Sequence, residues 1–285
     1  MLGELRKLWQ YRELLISMVS RELKVRYKNS FFGFLWSLIN PLMTVFVISY
    51  IFKTAVGNVG QNFSAYVLAS YLPYMFFSMS IMDATGSVLS NLSLVKKIYF
   101  PREILPLAII ICNFIHFMLA LLVFFAYLLI IFILHPQSFP FQLTTVYLPI
   151  LLVITFMLSS GMGLLCSALN TFYEDVKYIM GFVMQMLLFL SPIMWMAERM
   201  AYQTPTRYIA FNIINPIGTL CNAYRKILLA PQSVIVDMGP KGNVNEPALP
   251  IEWGYIAYAG VLSLVIFIVG YKVFNNYKWR FVERP

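Results

Sequence analysis

Residues 104–134 read ILPLAIIICNFIHFMLALLVFFAYLLIIFIL, without one Asp, Glu, Lys or Arg. A helix of about 20 apolar residues crosses the hydrocarbon core of a bilayer, and this run exceeds that length. Backbone N–H and C=O groups in hydrocarbon must be satisfied within the segment, so a run of this kind crosses as a helix. The same criterion predicts six spans, at about 31–52, 66–90, 104–134, 146–169, 178–196 and 253–274. The third is long enough to tilt or to bend near Pro106. Only 12% of the chain is charged, against about 25% in soluble domains, so too little polar surface exists to coat a soluble core. The fold class expected is an all-α membrane protein, one domain over 1–285. The 16% aromatic content fits interfacial belts and equally a protein that handles sugars.

Lys and Arg set the orientation. With the N-terminus cytoplasmic, the inside segments hold Arg6, Lys7, Arg12, Arg21, Lys24, Arg26 and Lys28, then Lys96, Lys97 and Arg102, then Lys177, then Lys272, Lys278, Arg280 and Arg284. The short outside loops hold only Lys53. The positive-inside rule therefore predicts both termini in the cytoplasm. It also explains the net charge of +9 through anionic headgroups rather than nucleic acid. Cys112, Cys166 and Cys221 have no metal-ligand spacing. The charged opening MLGELRKLWQYRELL lacks the apolar centre of a cleavable signal peptide.

Two segments are not ordinary spans. In 1–30, Leu5, Leu8, Trp9, Ile16, Val19 and Leu23 share one helical face, and Arg6, Gln10, Glu13, Ser17, Arg21 and Lys24 another. The pattern predicts an amphipathic helix in the cytoplasmic interface, with Trp9, Arg21, Lys24, Arg26 and Lys28 at headgroup level. In 197–252, TRYIAFNIINPIGTLCNAYRKILLA is apolar but interrupted by Asn212, Asn215 and Pro216. Such breaks at membrane depth need cover from protein or water, so re-entrant helices at the outer face are expected. The Gly/Pro/Asn-rich stretch after it reads as a surface loop.

The chemistry of an enzyme is missing from the pattern. Asp83 and His116 are the clear ionisable groups inside spans, and no cluster around them makes a proton relay. There is no grouped Ser/His/Asp set, no Cys/His metal site and no G-x-x-x-x-G-K-[ST] loop. Metal and catalytic residues are expected to be absent, which weighs against a membrane-embedded glycosyl- or acyltransferase. Energy for any work must come from a partner.

One compact charged segment stands out between the second and third spans: NLSLVKKIYFPREILPL, 91–107. Pro101 disfavours helix at Phe100 and suits the start of the next one. SLVKKIYF before it can form a short helix with aromatic and charged anchors, a composition suited to docking a protein. A loop that only fixes topology is the plainer alternative.

RELKVRYKNSFFGFLWSLINPL at 21–42, VKKIYFPREILPLA at 95–108, ALNTFYEDVKYIMGFVMQMLLFLSPIMW at 168–195 and NPI at 215–217 resemble, in order, the ABC-2 type permeases that export polysaccharides. The resemblance implies a homodimeric permease of a bacterial cytoplasmic membrane, paired with two copies of a separate ATPase subunit that binds ATP and Mg. It implies an ATPase-coupling role for Lys96, Lys97, Tyr99, Phe100, Pro101, Arg102 and Glu103, and a second contact at Glu174 and Asp175. It further implies a channel between protomers lined by the first and fifth spans, and a polymer carried on an undecaprenyl-pyrophosphate type lipid. Aromatic faces suit sugars, which makes Trp36, Tyr50, Phe189 and Trp195 channel candidates; packing against lipid or core is the alternative for each. An ABC-2 permease for a drug or small lipid is the rival reading.

Overall fold

The computed structural model describes residues 9–27, 35–56, 63–134, 142–231, 233–237 and 243–282. Helices α1 (Arg12–Tyr27), α2 (Leu35–Val56), α3 (Phe63–Thr85), α4 (Ser87–Ser90), α5 (Leu92–Lys97) and α6 (Ile104–Leu134) come first. A 3-10 turn, Leu143–Tyr147, leads into α7 (Leu148–Phe172) and α8 (Asp175–Leu190). Helices α9 (Ala197–Gln203), α10 (Pro205–Ile214) and α11 (Pro216–Leu228) follow, then strands β1 (Val234–Asp237) and β2 (Asn243–Glu246). Last come α12 (Trp253–Tyr277) and a 3-10 segment, Lys278–Val282.

Among the described residues four helical segments are long and apolar enough to cross a membrane: Phe63–Thr85, Ile104–Ile133, Leu143–Phe172 and Trp253–Phe281. The other two predicted spans are helical but meet that standard less fully. In α2 the apolar stretch is Leu42–Ile51, and α8 has 16 residues. The predicted fifth span was to reach 196. It stops at Leu190 because Ser191 turns to extended backbone, with ψ 147°, and Pro192 has no N–H to continue the ladder. The second span was to reach 90. It stops at Thr85, and 87–90 forms a separate short helix after Gly86. Helix α2 runs unbroken through Asn40 and position 41.

The central span is α3, packed against α2, α6, α7, α8 and α11. It is 72% buried over its apolar stretch, against 33% for Ile104–Ile133. Among the described residues α7 and α12 make the closest helix crossing. A Cβ on Gly270 would lie 2.1 Å from the Gly161 carbonyl oxygen, and a Cβ on Gly161 2.6 Å from Phe267 Cα. Larger residues at either place would push the helices apart, since close helix contact in a membrane rests on small side chains.

The N-terminal helix uses a different face from the one expected. Met18 and Val19 are buried, with Leu14, Leu15 and Leu23 packed beside them on Val88, Val95, Ile104 and Leu105. Trp9 and Ile16 are 69% and 62% exposed. Val19 and Ile16, assigned to one face, therefore separate. The helix has an apolar partner in its own chain, so only part of its apolar surface is left outward.

Candidate coupling surface

Loop 91–103 lies at the end of the bundle that also holds the turn between α7 and α8 and the segment 278–282. Its local course follows from its residues. Helix α5 ends at Ile98, which is extended, because Pro101 excludes a continuing helix. Val95 and Phe100 turn inward, while Lys96, Lys97, Ile98 and Tyr99 are exposed.

The loop is fastened from beneath. Lys278 Nζ lies 3.0 Å from Glu103 Oε1, with Glu103 fully buried and Lys278 nearly so. The Arg102 guanidinium donates to the Lys278 carbonyl. Burial draws the Arg102 pKa below its ordinary value, with Glu103 and Tyr99 acting in the opposite sense. Phe100 sits in the same cluster as Ile104, Phe274 and Phe281. Above this floor Tyr99 stacks on Trp279, centroids 6.2 Å apart at 24°. Arg102 and Lys278 both approach the Trp279 ring, at 5.7 and 5.5 Å.

This divides the seven residues expected to contact a partner here. Lys96, Lys97 and Tyr99 are displayed, and Pro101 and Arg102 are half-buried. Phe100 and Glu103 are not displayed: Phe100 fills the core and Glu103 is consumed by an internal ion pair, so both hold the loop in place. Glu174 and Asp175 are exposed on the neighbouring turn. Asn170 pins that turn by accepting from Lys177 N and donating to Thr85 O. Phe172 packs on both Tyr277 and Phe281, so the two surfaces share the 278–282 segment as a common support. Trp279 and Phe281 escaped sequence reasoning; an aromatic pair in KWRF just past the last span was the available signal.

The basic residues assigned to headgroups fare unequally. Lys24 is exposed. Arg21 donates to Asn91 Oδ1 at 2.7 Å and pairs with Glu22, tying α1 to the start of the loop. Arg26 also engages the bundle. It pairs with Asp83 at 2.8 Å, donates to Asn113 Oδ1 at 2.7 Å and lies 3.1 Å from His116 Nδ1. Asn113 also donates to Asp83. Asp83 and His116 are thus satisfied by neighbouring helices. Lys28 lies outside the described residues.

The channel candidates also separate. Tyr50 and Phe189 are 67% and 57% exposed. Each belongs to an apolar stripe at helical spacing: Met43, Phe46, Val47 and Tyr50 on α2, and Ile179, Phe182, Met186 and Phe189 on α8. Beside the second stripe, a groove of about 340 Å³ runs between α3 and α8, lined by Tyr71, Tyr74, Ser78 and Gln185 among others. Trp195 is committed elsewhere. Its Nε1 donates to the Phe189 carbonyl at 3.1 Å and its ring packs edge-on against Phe211, closing the end of α8. The Trp36 side chain lies outside the described residues.

The opposite end is sealed by a second ion-pair network. Arg225 makes contacts of 2.9 and 2.7 Å to the two oxygens of Glu198 and lies 4.0 Å over the Tyr66 ring. Both charged partners are buried. Burial favours a raised Glu198 pKa, but Arg225 and Lys226 outweigh it and hold the carboxyl below its ordinary range. The interruptions in 212–218 are structural. Asn215 caps α11 by accepting from Gly218 N at 2.9 Å, Pro216 fills its first turn, and Gly218 leaves room for Phe211. The stretch expected as a loop contains the β1–β2 hairpin, with Val236 opposite Val244.

Comparison with known proteins adds a family. The profile described as ABC-2 type transporter matches residues 13–229. The O-antigen export system permease protein RfbA of Klebsiella pneumoniae is 24% identical over 271 residues, covering 95% of this chain and 94% of that protein. The protein of the same name from Myxococcus xanthus is 27% identical over 283 residues, with 99% of each chain covered. The polysialic acid transport protein KpsM of Escherichia coli is 22% identical over 259 residues, covering 88% of this chain and 90% of that protein. With three quarters of its length inside the family profile, its apolar spans and its loop order, this chain belongs to the ABC-2 type transporter family.

Proposed function

We propose that this chain is the membrane-spanning permease of an ABC exporter that moves a lipid-linked polysaccharide across the bacterial cytoplasmic membrane. Two copies form the conduit, six spans each, and two ATPase subunits bind ATP and Mg and drive it. Both termini and loop 91–103 face the cytoplasm, α1 lies along that interface, and α9–α11 form re-entrant cover at the outer face. The carried polymer is of the O-antigen, capsule or teichoic acid class, on an undecaprenyl-pyrophosphate type lipid.

One observation carries the reading. Tyr99 is 73% exposed, on a loop braced by the Glu103–Lys278 pair and the Phe100 core. A rigid, outward-facing aromatic beside Lys96 and Lys97 can transmit motion from a partner, and the chain has no nucleotide-binding loop to move itself. The relatives' names support a glycan cargo, and the exposed Tyr50 and Phe189 stripes support a second copy around a conduit. Glu174 and Asp175 supply the second ATPase contact.

The test is reconstitution with the cognate ATPase in inverted vesicles, with labelled lipid-linked polymer supplied outside. ATP-dependent entry of polymer, absent with the ATPase alone, is expected. Transport of a small lipid or drug in place of polymer would establish the rival reading.

A further inference from the structure

The stacked pair at the cytoplasmic end contains one residue that the coupling loop does not supply. Trp279 comes from the 3-10 segment after the last span. It is 57% exposed although its neighbours Lys278 and Phe281 are buried. Beside it lies a groove of about 190 Å³ whose walls come from three separate parts of the chain. Gln10 and Tyr11 belong to the N-terminal region, Tyr99 and Glu103 to the loop, and Lys278 and Trp279 to the C-terminal segment.

We propose that the C-terminal segment, through Trp279, is half of the docking site for the ATPase subunit, and that the groove takes an apolar side chain from an acidic patch of that subunit. The inference rests on the permease reading given above.

Charge argues for this partner. Next in sequence to the lining residues Ile98 and Trp279 stand exposed Lys96, Lys97 and Arg280, and Arg102 and Lys278 approach the Trp279 ring. Glu103 is the carboxylate lining the groove, and Lys278 already offsets it. An acidic surface complements these cations, and a basic one is repelled. Exposed aromatic rings beside Arg are the composition of binding hot spots. A lipid surface is the competing occupant. It is disfavoured because the groove is concave and lies beside the displayed face of the loop.

The consequence is mechanical. Trp279 follows α12, which crosses α7 at the Gly161–Gly270 contact, whereas Tyr99 lies between α3 and α6. A partner gripping both rings holds two pairs of spans at once, and a partner gripping Tyr99 alone holds one.

The experiment places the photo-cross-linker p-benzoylphenylalanine in place of Trp279 in the full chain, co-expressed with its ATPase subunit. Parallel proteins carry it in place of Lys97 and, as a control, in place of Thr206 at the outer end. Irradiation is expected to give an ATPase adduct from positions 279 and 97 and none from 206. Trp279→Ala should lower ATPase co-purification at least five-fold, with Trp279→Phe retaining most of it. An adduct from 97 but only lipid adducts, or none, from 279 would overturn this inference and leave the coupling loop standing. No ATPase adduct from 97 or 279 would overturn the coupling reading itself, and this inference with it.

Discussion

The two ends of the bundle are each organised around a buried ion pair, and they use it in opposite ways. At the end that we propose faces outward, Glu198 and Arg225 sit beneath α9–α11, with Tyr66 under the guanidinium. At the end that we propose faces the cytoplasm, Glu103 and Lys278 are just as enclosed, but they lie under Tyr99 and Trp279, which are more than half exposed. One pair closes a lid; the other stiffens a platform. A buried pair is costly to desolvate and weak evidence for stability by itself, yet removing one partner strands a charge. Both ends should therefore fail when a partner is deleted, with different consequences.

The largest effect is expected at the outer end. Arg225→Ala removes the two short contacts of buried Glu198 and leaves it only the longer Lys226 contact at 3.9 Å, at a cost of about 3–5 kcal/mol. The lid should loosen, and Cys221, fully buried in the wild type, should become reactive to an impermeant thiol reagent added from outside. An unreactive Cys221 in this variant would mean that the lid is held by packing alone.

Lys278→Ala comes next, at about 3 kcal/mol, the low end of the cost of stranding a buried charge, because Arg102 stays beside Glu103. Here the expected loss is of ATPase binding rather than of insertion, because the platform is local. Co-purification with the ATPase and labelling of Cys221 read the two outcomes separately. If Lys278→Ala exposes Cys221 as Arg225→Ala does, the ends are not independent.

Acidification sharpens the contrast further. The folded-state pKa of Glu198 is depressed, so its contribution is present above the unfolded carboxylate pKa and disappears as pH falls through the lower folded value. The outer end should thus stay closed through the ordinary carboxylate range and open only in stronger acid, followed by Cys221 labelling against pH. Opening within the ordinary range would show that Arg225 and Lys226 do not outweigh burial.

The smallest effect separates the two aromatics near the end of α8. Phe189→Ala, on the exposed stripe, should slow polymer export at unchanged ATPase binding. Trp195→Ala should cost about 0.5–1.5 kcal/mol of packing and leave export nearly intact, as an edge-on ring contact is worth about that much. The reverse pattern would restore Trp195 as a channel residue.

The sequence made the long spans legible because hydrocarbon runs admit one solution in a bilayer. It was less informative about which spans lie inside. The least apolar of the four, Phe63–Thr85, is the most buried, and the charge-free 104–134 run faces outward more. In a membrane the purest hydrocarbon belongs against lipid, and Tyr, Ser and small residues belong between helices. Loop 91–103 was conspicuous by its charge, but charge alone did not distinguish Lys97, displayed, from Glu103, buried. That distinction depends on Lys278, 175 residues away. Arg26 looked like one more headgroup contact because Asp83, Asn113 and His116 come together only in the fold. Trp195's role in closing the end of α8 required the geometry of Phe189 and Phe211.

The central claim is that the cytoplasmic platform exists to be gripped by an ATPase. Tyr99→Ala tests it most directly, since the ring is exposed and its removal leaves the Glu103–Lys278 pair and the Phe100 core untouched. The measurement is polymer export together with ATP hydrolysis by the reconstituted complex. The account predicts at least a ten-fold loss of export and loss of ATPase co-purification, with Cys221 still unreactive from outside. Export and co-purification at wild-type levels would contradict it.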